Sequence, residues 1–155
     1  MKVIKPDSLD QTPEGYTIFL AGSIEQGSAE NWQLKAEEAL KNYNVTIYNP
    51  RRDDWNGDWA QIENSPEFNH QVNWELNNLE KVDFIVMNLI PGTYSPISLN
   101  ELGRFYQKDM IVCCPVGFWR RGNVQINCTR DRIPLYNDFD SMFGAMMTKL
   151  HNYKK

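Results

Sequence analysis

Apolar and polar residues alternate along the chain in a way that predicts short strands separated by amphipathic helices. Runs rich in β-branched and aromatic residues predict strands over residues 16–21, 45–48, 82–90, 110–115 and 132–135. Apolar positions spaced three and four residues apart predict helices over residues 29–42, 67–80, 97–107 and from Asp138 onward. Because strands alternate with helices, we expect a parallel sheet covered on both faces.

Right-handed connections between parallel strands limit the topologies that this order of elements allows. The leading prediction is an α/β three-layer sandwich with a flavodoxin-like, doubly wound parallel sheet of about five strands. The 155 residues contain no repeat and no linker, so we expect a single domain over residues 1–155. Residues 1–15 are polar and include Pro6 and Pro13, which predicts an irregular N-terminal segment.

The helix predicted over residues 67–80 has two distinct faces. Its apolar stripe has the spacing of a core face and consists of Phe68, Val72, Leu76 and Leu79. A second stripe combines hydrogen-bonding side chains with one large ring and consists of Gln71, Trp74, Glu75 and Asn78. This second face is either solvated, with one stray tryptophan, or lines a pocket.

Composition and charge narrow the classes of function. No apolar run approaches the roughly 20 residues of a membrane span, and the N-terminus lacks the apolar segment of a signal peptide, so we expect a cytoplasmic protein. A net charge of −4 gives no general attraction to nucleic acids or membranes. The basic pairs Arg51-Arg52 and Arg120-Arg121 lie in predicted loops, including one over residues 116–123, where they suit local anion contacts or salt bridges.

The sequence offers little for metal or cofactor chemistry. Cys113, Cys114 and Cys128 lack metal-ligand spacing and are expected to be reduced structural thiols. The two histidines, His70 and His151, are poorly placed for a Ser-His-Asp site. Neither glycine-rich phosphate-binding motif is present, so we expect no cofactor and no metal.

A carboxylate, Glu101, stands at the junction between the most buried predicted strand and the next helix. Open α/β sheets place their ligands at such junctions, beyond the carboxyl ends of the strands. Ser98 and Glu101 also have the spacing of a capping box, in which Glu101 would only close the helix N-terminus. Glu75 can face the same cleft, and two carboxylates are what cleavage of a glycosidic bond needs.

Four sequence blocks occur in the order expected for a known family. They cover residues 19–24 (Phe-Leu-Ala-Gly-Ser-Ile), 49–52 (Asn-Pro-Arg-Arg), 71–75 (Gln-Val-Asn-Trp-Glu) and 95–103 (Ser-Pro-Ile-Ser-Leu-Asn-Glu-Leu-Gly). Together they resemble the nucleoside 2-deoxyribosyltransferase-like family, which includes the 2'-deoxynucleoside 5'-phosphate N-hydrolases. The resemblance covers nearly all of the chain from about residue 16 to residue 129.

The resemblance implies a homo-oligomer, at least a dimer, that cleaves the N-glycosidic bond of a 2'-deoxynucleoside or its 5'-monophosphate and transfers deoxyribose to another base or to water. Glu101 matches the nucleophile that holds the sugar covalently, and Glu75 matches the carboxylate that handles the base and its proton. Ser95 stands where the nucleotide hydrolases carry serine and the transferases aspartate. Asn123 is similar to a loop asparagine that reaches into the neighbouring subunit's site. The expected substrate-binding residues are Gly22, Ser23, Phe19, Arg51, Gln71, Trp74, Ser95, Ser98 and Asn123.

Two further expectations concern how the substrate is held. The base could stack on Trp74 or on one of two tryptophans, Trp55 and Trp59, in the long loop over residues 51–66. Alternatively, the two loop tryptophans pack on a partner subunit or on the body of the protein. Ser95 and Ser98, at a helix start, could hold a 5'-phosphate with arginines from the loops. Otherwise Ser98 only caps its helix and the arginines pair with Asp53 and Asp54.

The sequence departs from the family at Phe19, where relatives often carry a tyrosine whose hydroxyl contacts the nucleophile. Tyr16, Tyr48 or Tyr94 would have to substitute for it. This departure keeps open a second class of function, a non-catalytic module that binds or senses a nucleotide in the same cleft.

Overall fold

A computed structural model describes residues 1–25, 28–52, 54 and 56–153. The strands are β1 (Lys2–Ile4), β2 (Tyr16–Gly22), β3 (Val45–Tyr48), β4 (Phe84–Asn88), β5 (Met110–Cys113) and β6 (Leu135–Tyr136). The helices are α1 (Trp32–Leu40), α2 (Pro66–Lys81), α3 (Pro96–Arg104), α4 (Arg121–Asp131) and α5 (Phe139–Tyr153). The six strands form one parallel sheet in the order β1-β3-β2-β4-β5-β6.

This order is that of a flavodoxin-like fold with one additional edge strand. Without β1, the remaining five strands follow the order second, first, third, fourth and fifth, which is the flavodoxin arrangement. The predicted α/β sandwich with a doubly wound parallel sheet is therefore confirmed, with six strands in place of about five.

The additional strand corrects the expectation that residues 1–15 are irregular throughout. β1 pairs with β3 in the register Lys2 to Thr46 and Ile4 to Tyr48, and Ile4 is fully buried. A three-residue strand shows too few alternations to be recognised in a sequence. Its structure depends on the edge of β3, which lies more than 40 residues away along the chain.

The segment between β5 and β6 is the second difference from the prediction. The predicted loop over residues 116–123 contains the first turn of α4, and the strand expected over residues 132–135 begins only at Leu135. In α4 only Val124 and Cys128 are buried, one turn apart, while the other positions are polar or exposed. Two buried positions do not form an apolar stripe that would reveal a helix.

The sheet separates two apolar layers. Helices α1 and α5 pack on one face, where Trp32, Ala36 and Met146 meet the side chains of the sheet. Helices α2, α3 and α4 pack on the other face, where Leu79 and Leu102 are buried. The three cysteines are free and buried within these layers. In the described part of the chain, no helix is both long and apolar enough to cross a membrane.

Candidate active site

The site lies where β2 and β4 end side by side at the carboxyl edge of the sheet. β2 ends at Gly22 and β4 at Asn88, and these two residues are paired in the sheet. The chain leaves β2 toward α1 in one layer and leaves β4 toward α3 in the other layer. Such a divergence opens a crevice at the end of an α/β sheet, which is where ligands bind.

Gly22 allows the two strand ends to approach closely. Its φ of +127° is a conformation that residues with a side chain rarely adopt. A Cβ atom at this position would lie 2.2 Å from the Asn88 carbonyl oxygen. The next residue, Ser23, donates its backbone N–H to that same carbonyl at 2.9 Å. Glycine at position 22 therefore lets the backbone of the Gly22-Ser23 turn line the crevice.

Three hydroxyl groups form a closed cluster at this turn. Ser23 Oγ lies 2.8 Å from Thr93 Oγ1 and 2.7 Å from Ser95 Oγ, and the last two atoms are 2.9 Å apart. The cluster is anchored to backbone, because Ile90 N–H donates to Ser23 Oγ and Thr93 Oγ1 donates to Ile90 O. Ser23 and Ser95 are buried. The cluster fixes the segment that connects β4 to α3.

Helix α3 begins at Pro96, so the capping box considered for Ser98 and Glu101 does not form. Ser95 occupies the N-cap position with a left-handed backbone, and its side chain makes no cap hydrogen bond. Ser98 and Glu101 both lie inside the helix and are buried. Ser95, Ser98 and Glu101 follow one another at intervals of three residues, which places them along one face of α3.

The cap role belongs instead to Glu25, in the segment after β2. Its Oε1 accepts hydrogen bonds from the backbone N–H groups of Tyr94 at 2.9 Å and Ser95 at 2.8 Å. The Ser95 hydroxyl group also lies near this carboxylate, with Ser95 Oγ 3.5 Å from Glu25 Oε1. A carboxylate at this position complements the positive end of the helix dipole.

Glu101 is a buried carboxyl group without a hydrogen-bond donor among the described residues. Only 6% of its surface is exposed. Loss of hydration raises its pKa to about 8, and the charge of nearby Glu75 acts in the same direction. A carboxyl group in this environment holds its proton near neutral pH unless a positive charge arrives.

Glu75 extends from α2 into the same region. Burial raises its pKa to about 7, and a hydrogen bond from Gln71 opposes that shift. Gln71 Nε2 donates to Glu75 Oε1 at 2.6 Å and to the Pro50 carbonyl oxygen at 3.0 Å. The Gln71 amide oxygen is buried and accepts no hydrogen bond from the described residues. Gln71 and Trp74 are buried and Glu75 and Asn78 are half-buried, so the second stripe of α2 is not a solvated face.

Aromatic side chains line the region beside the two carboxyl groups. The Trp74 ring lies 6.0 Å from that of Phe19 and 5.9 Å from that of Tyr48, measured between ring centres. Trp74 Nε1 donates to Gln11 Oε1 at 2.9 Å, so the N-terminal segment holds the indole in place. Within the described residues, neither Tyr48 nor the other two candidate tyrosines, Tyr16 and Tyr94, donates a hydrogen bond to Glu101.

Each of the four arginines that could hold a phosphate contacts other residues of the protein, and the last of them, Arg121, begins α4 rather than lying in a loop. Arg51 donates to the Ala29 carbonyl at 2.9 Å and Arg52 binds Asp54 through two hydrogen bonds. Arg120 lies over the ring of Trp119, and Arg121 donates to Asn137. Arg52 also lies over the Trp59 ring, 5.0 Å from its centre, which is a contact within the loop itself. Trp55 and Asp53 lie outside the described residues.

Asn123 is separate from the carboxyl pair. It lines a groove of about 300 Å³ between α3 and α4, together with Leu102, Trp119 and Asn127. Within the chain, Glu75 therefore lies close enough to Glu101 to raise its pKa, beside Gln71 and Trp74 of α2, while Asn123 lines a separate groove.

Two residues of the site were not expected from the sequence. Thr93 belongs to the segment before α3 and could have been included with Ser95, because both carry hydroxyl groups. Glu25 gives no local signal, since its partners lie about 70 residues away. No group of three or more histidine, cysteine, aspartate or glutamate side chains that could hold a metal ion occurs among the described residues.

The fold and the site define a class: a flavodoxin-like α/β protein with two neighbouring carboxyl groups, one buried and one half-buried, near the switch point of its sheet. The family described as nucleoside 2-deoxyribosyltransferase like matches residues 15–118, which is more than half of the chain. The chain belongs to this family.

Comparison with solved structures supports the architecture. A conserved protein from Enterococcus faecalis V583 is similar to this chain with a TM-score of 0.50 and 12% sequence identity, over 87% of each chain. At that identity the likeness shows the fold alone. A comparison with curated protein sequences finds no match.

Proposed function

We propose that the protein cleaves the N-glycosidic bond of a 2'-deoxynucleoside or its 5'-monophosphate and passes the deoxyribose to another base or to water. The observation that carries this proposal is the pair of neighbouring carboxyl groups, the buried Glu101 and the half-buried Glu75, whose pKa values are raised to about 8 and about 7. Two carboxyl groups with separate tasks are what the cleavage of a glycosidic bond requires. Membership of the family supports the same substrate class.

In the proposed reaction Glu101 is the nucleophile. Its carboxylate attacks C1' of the sugar, and the electron pair of the C1'–N bond leaves with the base. Glu75 donates a proton to the departing base, so the base leaves as a neutral molecule. Water or a second base then attacks C1' and releases the Glu101 carboxylate, while Glu75 takes up the proton that the acceptor loses.

The raised pKa values keep a proton on the pair near neutral pH, and in the free protein Glu101, with the higher pKa, holds it more firmly than Glu75. The two carboxyl groups share that single proton over a range of pH and titrate as a pair. In the reactive form the proton is on Glu75 and the charge is on Glu101. Positive charge that develops at C1' in the transition state favours that distribution.

The base would lie against the α2 side of the crevice. Trp74 offers an aromatic surface there, and the free amide oxygen of Gln71 can accept a hydrogen bond from an N–H group of a base. The sugar would lie on the other side, near the backbone of the Gly22-Ser23 turn and the hydroxyl groups of Ser23, Thr93 and Ser95.

The test of this proposal is base release by the Glu101→Gln variant. Purified protein is mixed with each of the four deoxynucleosides and their 5'-monophosphates, with and without a second base, and the products are separated by chromatography. We expect Glu101→Gln to lower turnover by at least about a thousandfold while the melting temperature is kept. Glu67→Gln, an exposed glutamate in the first turn of α2, is the matched control and should keep full activity. Turnover by Glu101→Gln at the wild-type rate would contradict the mechanism.

A second candidate function, a non-catalytic nucleotide-binding module, has one observation in its favour. Glu101 accepts no hydrogen bond from the described residues, and a pKa of about 8 keeps most of it protonated at neutral pH in the free protein. The same assay distinguishes the possibilities. Base released without an acceptor indicates a hydrolase, and a new nucleoside formed only with an acceptor indicates a transferase. Binding without either product indicates the module.

A further inference from the structure

Glu25 occupies the backbone groups that an anionic substrate would use at the start of α3. Its Oε1 takes the N–H groups of Tyr94 and Ser95 at 2.9 and 2.8 Å. The Ser95 hydroxyl is also engaged, 2.7 Å from Ser23 Oγ and 2.9 Å from Thr93 Oγ1. The donors at this helix end are therefore already used by a carboxylate that belongs to the protein.

The local backbone is shaped around this contact. Among the described residues, only three that are not glycine have a positive φ, and two of them are Glu25 and Ser95, each at +46°. Such conformations cost free energy and persist where the surrounding contacts maintain them. Here the contact joins two segments that follow neighbouring strands, β2 and β4.

The start of α3 is also the place where the 5' end of a bound nucleoside would lie. Ser95 precedes Glu101 by six residues, which is about 9 Å along the helix axis. A deoxyribose with its C1' at Glu101 and its ring over Ser98 would direct its 5' carbon toward Ser95. This geometry rests on the proposed role of Glu101 as the nucleophile.

We propose that Glu25 selects substrates with a free 5'-hydroxyl group and excludes 5'-phosphates. All of the hydrogen bonds that its side chain accepts use Oε1, and Oε2 accepts none from the described residues. Oε2 can therefore accept a hydrogen bond from a 5'-hydroxyl group. A 5'-phosphate would have to displace Glu25 from two N–H groups, or bring two negative charges against a carboxylate. Arg52, Arg120 and Arg121 make their described contacts with Asp54, Trp119 and Asn137 rather than with Glu25, so they do not offset that repulsion.

The inference deepens the proposed function, because it chooses the nucleoside over the nucleotide as its substrate class. It differs from the expectation that Ser95 and Ser98 hold a phosphate. For that expectation to hold, Glu25 would have to leave the helix end when the nucleotide binds.

The experiment measures binding rather than turnover, so that selection by Glu25 can be tested separately from the proposed reaction. Dissociation constants of the four deoxynucleosides and of their 5'-monophosphates are determined by calorimetry on the Glu101→Gln protein, which is expected not to consume them. The same measurements are made on the double variants that combine Glu101→Gln with Glu25→Gln or with Glu25→Gly. Glycine removes the side chain and accepts the left-handed backbone, while glutamine keeps the hydrogen-bonding shape without the charge. Glu30→Gln, an exposed glutamate five residues away, is the matched charge control.

We expect the preferred nucleoside to bind at least about tenfold more tightly than its monophosphate, which is the effect of one hydrogen bond to a charged group. Glu25→Gln should reduce this ratio, Glu25→Gly should abolish or reverse it, and Glu30→Gln should leave it unchanged. Equal or tighter binding of the monophosphate before Glu25 is changed would overturn the inference.

A purely structural role for Glu25 has a different signature. It would lower the melting temperature of Glu25→Gly and weaken both ligands equally, leaving the ratio unchanged, and that result would also overturn the inference. Absence of binding by every deoxynucleoside would do the same. If the ratio depends on Glu25 but wild-type protein releases no base, the proposed function fails while the selection by Glu25 stands.

Discussion

At the scale of single residues, the feature that distinguishes this protein is a pair of carboxyl groups that retain protons near neutral pH. Glu101 owes its raised pKa first to burial and second to the charge of Glu75. Glu75 owes its own raised pKa to burial, against a hydrogen bond from Gln71. Because the two carboxyl groups titrate as a pair, replacing one of them changes the pH dependence of the reaction.

Glu75→Gln should remove the alkaline limb from the pH dependence of the reaction. In wild type the reactive form has a protonated Glu75, so ionisation of Glu75, whose pKa is raised to about 7, lowers the rate at high pH, and glutamine does not ionise. The acid limb of kcat/KM, set by ionisation of Glu101 beside a neutral partner, should remain. Loss of the proton donor should also reduce the maximum by about 10²–10⁴-fold.

The measurement is the pH profile of base release from pH 5 to pH 9 for wild type, Glu75→Gln and the exposed control Glu67→Gln. The control should keep the wild-type profile. An alkaline limb that persists unchanged in Glu75→Gln would show that Glu75 does not supply the proton that the reaction needs.

At the scale of elements, the site depends on how closely β2 and β4 approach at their carboxyl ends. The turn after β2 contributes Gly22, Ser23 and Glu25, and the segment after β4 contributes Thr93 and Ser95. Helix α2 contributes the opposite wall through Gln71, Trp74 and Glu75. The crevice is thus assembled from three separate parts of the chain, each fixed by a regular element.

Gly22→Ala should destabilise the protein and distort the crevice. The added Cβ would lie 2.2 Å from the Asn88 carbonyl oxygen, and alanine does not tolerate a φ of +127°. We expect a loss of about 2–4 kcal/mol in the free energy of unfolding. Gly144→Ala, in α5 where a Cβ meets nothing within 4 Å, should instead stabilise by about 0.5–1 kcal/mol. Urea denaturation of both variants checks the pair, and equal stability of Gly22→Ala and wild type would contradict the strain.

The sequence predicts those helices and strands whose own residues show a clear apolar pattern. The buried runs of β2 and β4 and the two-faced α2 were visible because apolar side chains recur with the period of the element. β1 and α4 were missed because β1 is too short and α4 too polar to show a period. The sequence by itself singles out Glu101, Glu75, Gln71 and Trp74 as candidates, while the contact of Glu25 with residues 94 and 95 depends on the tertiary structure.

At the scale of the whole molecule, the surface of α3 and α4 remains to be explained. The groove beside Asn123 is lined by Trp119, which is 48% exposed, and α4 carries a further exposed apolar side chain, Ile126, at 71% exposure. Exposed apolar surface next to a groove is typical of a contact between proteins. Asn123 lies in this groove and apart from the carboxyl pair of its own subunit, which suits a role in a neighbouring subunit.

We therefore expect a homo-oligomer, at least a dimer, that is formed through α3 and α4. Ile126→Glu should shift the protein to monomers and reduce base release together with dimerisation, because a buried unpaired charge opposes association. Leu34→Glu, at a residue of α1 that is 60% exposed in the opposite layer, is the matched control and should stay associated. Light scattering with an activity assay at the same concentration checks both variants. An active wild-type monomer would rule out the shared site.

The three buried cysteines make the opening of each layer separately observable. Cys113 and Cys114 are neighbours in the chain, yet Cys113 faces the layer of α1 and α5, while Cys114 and Cys128 face the layer of α2, α3 and α4. Burial raises the pKa of their thiols to about 11 or 12, so at pH 8 they are protonated and shielded from alkylating reagents. A thiol can then be alkylated only while its own layer is open. Pulse labelling followed by peptide mass spectrometry therefore gives an opening rate for each layer without any engineered label.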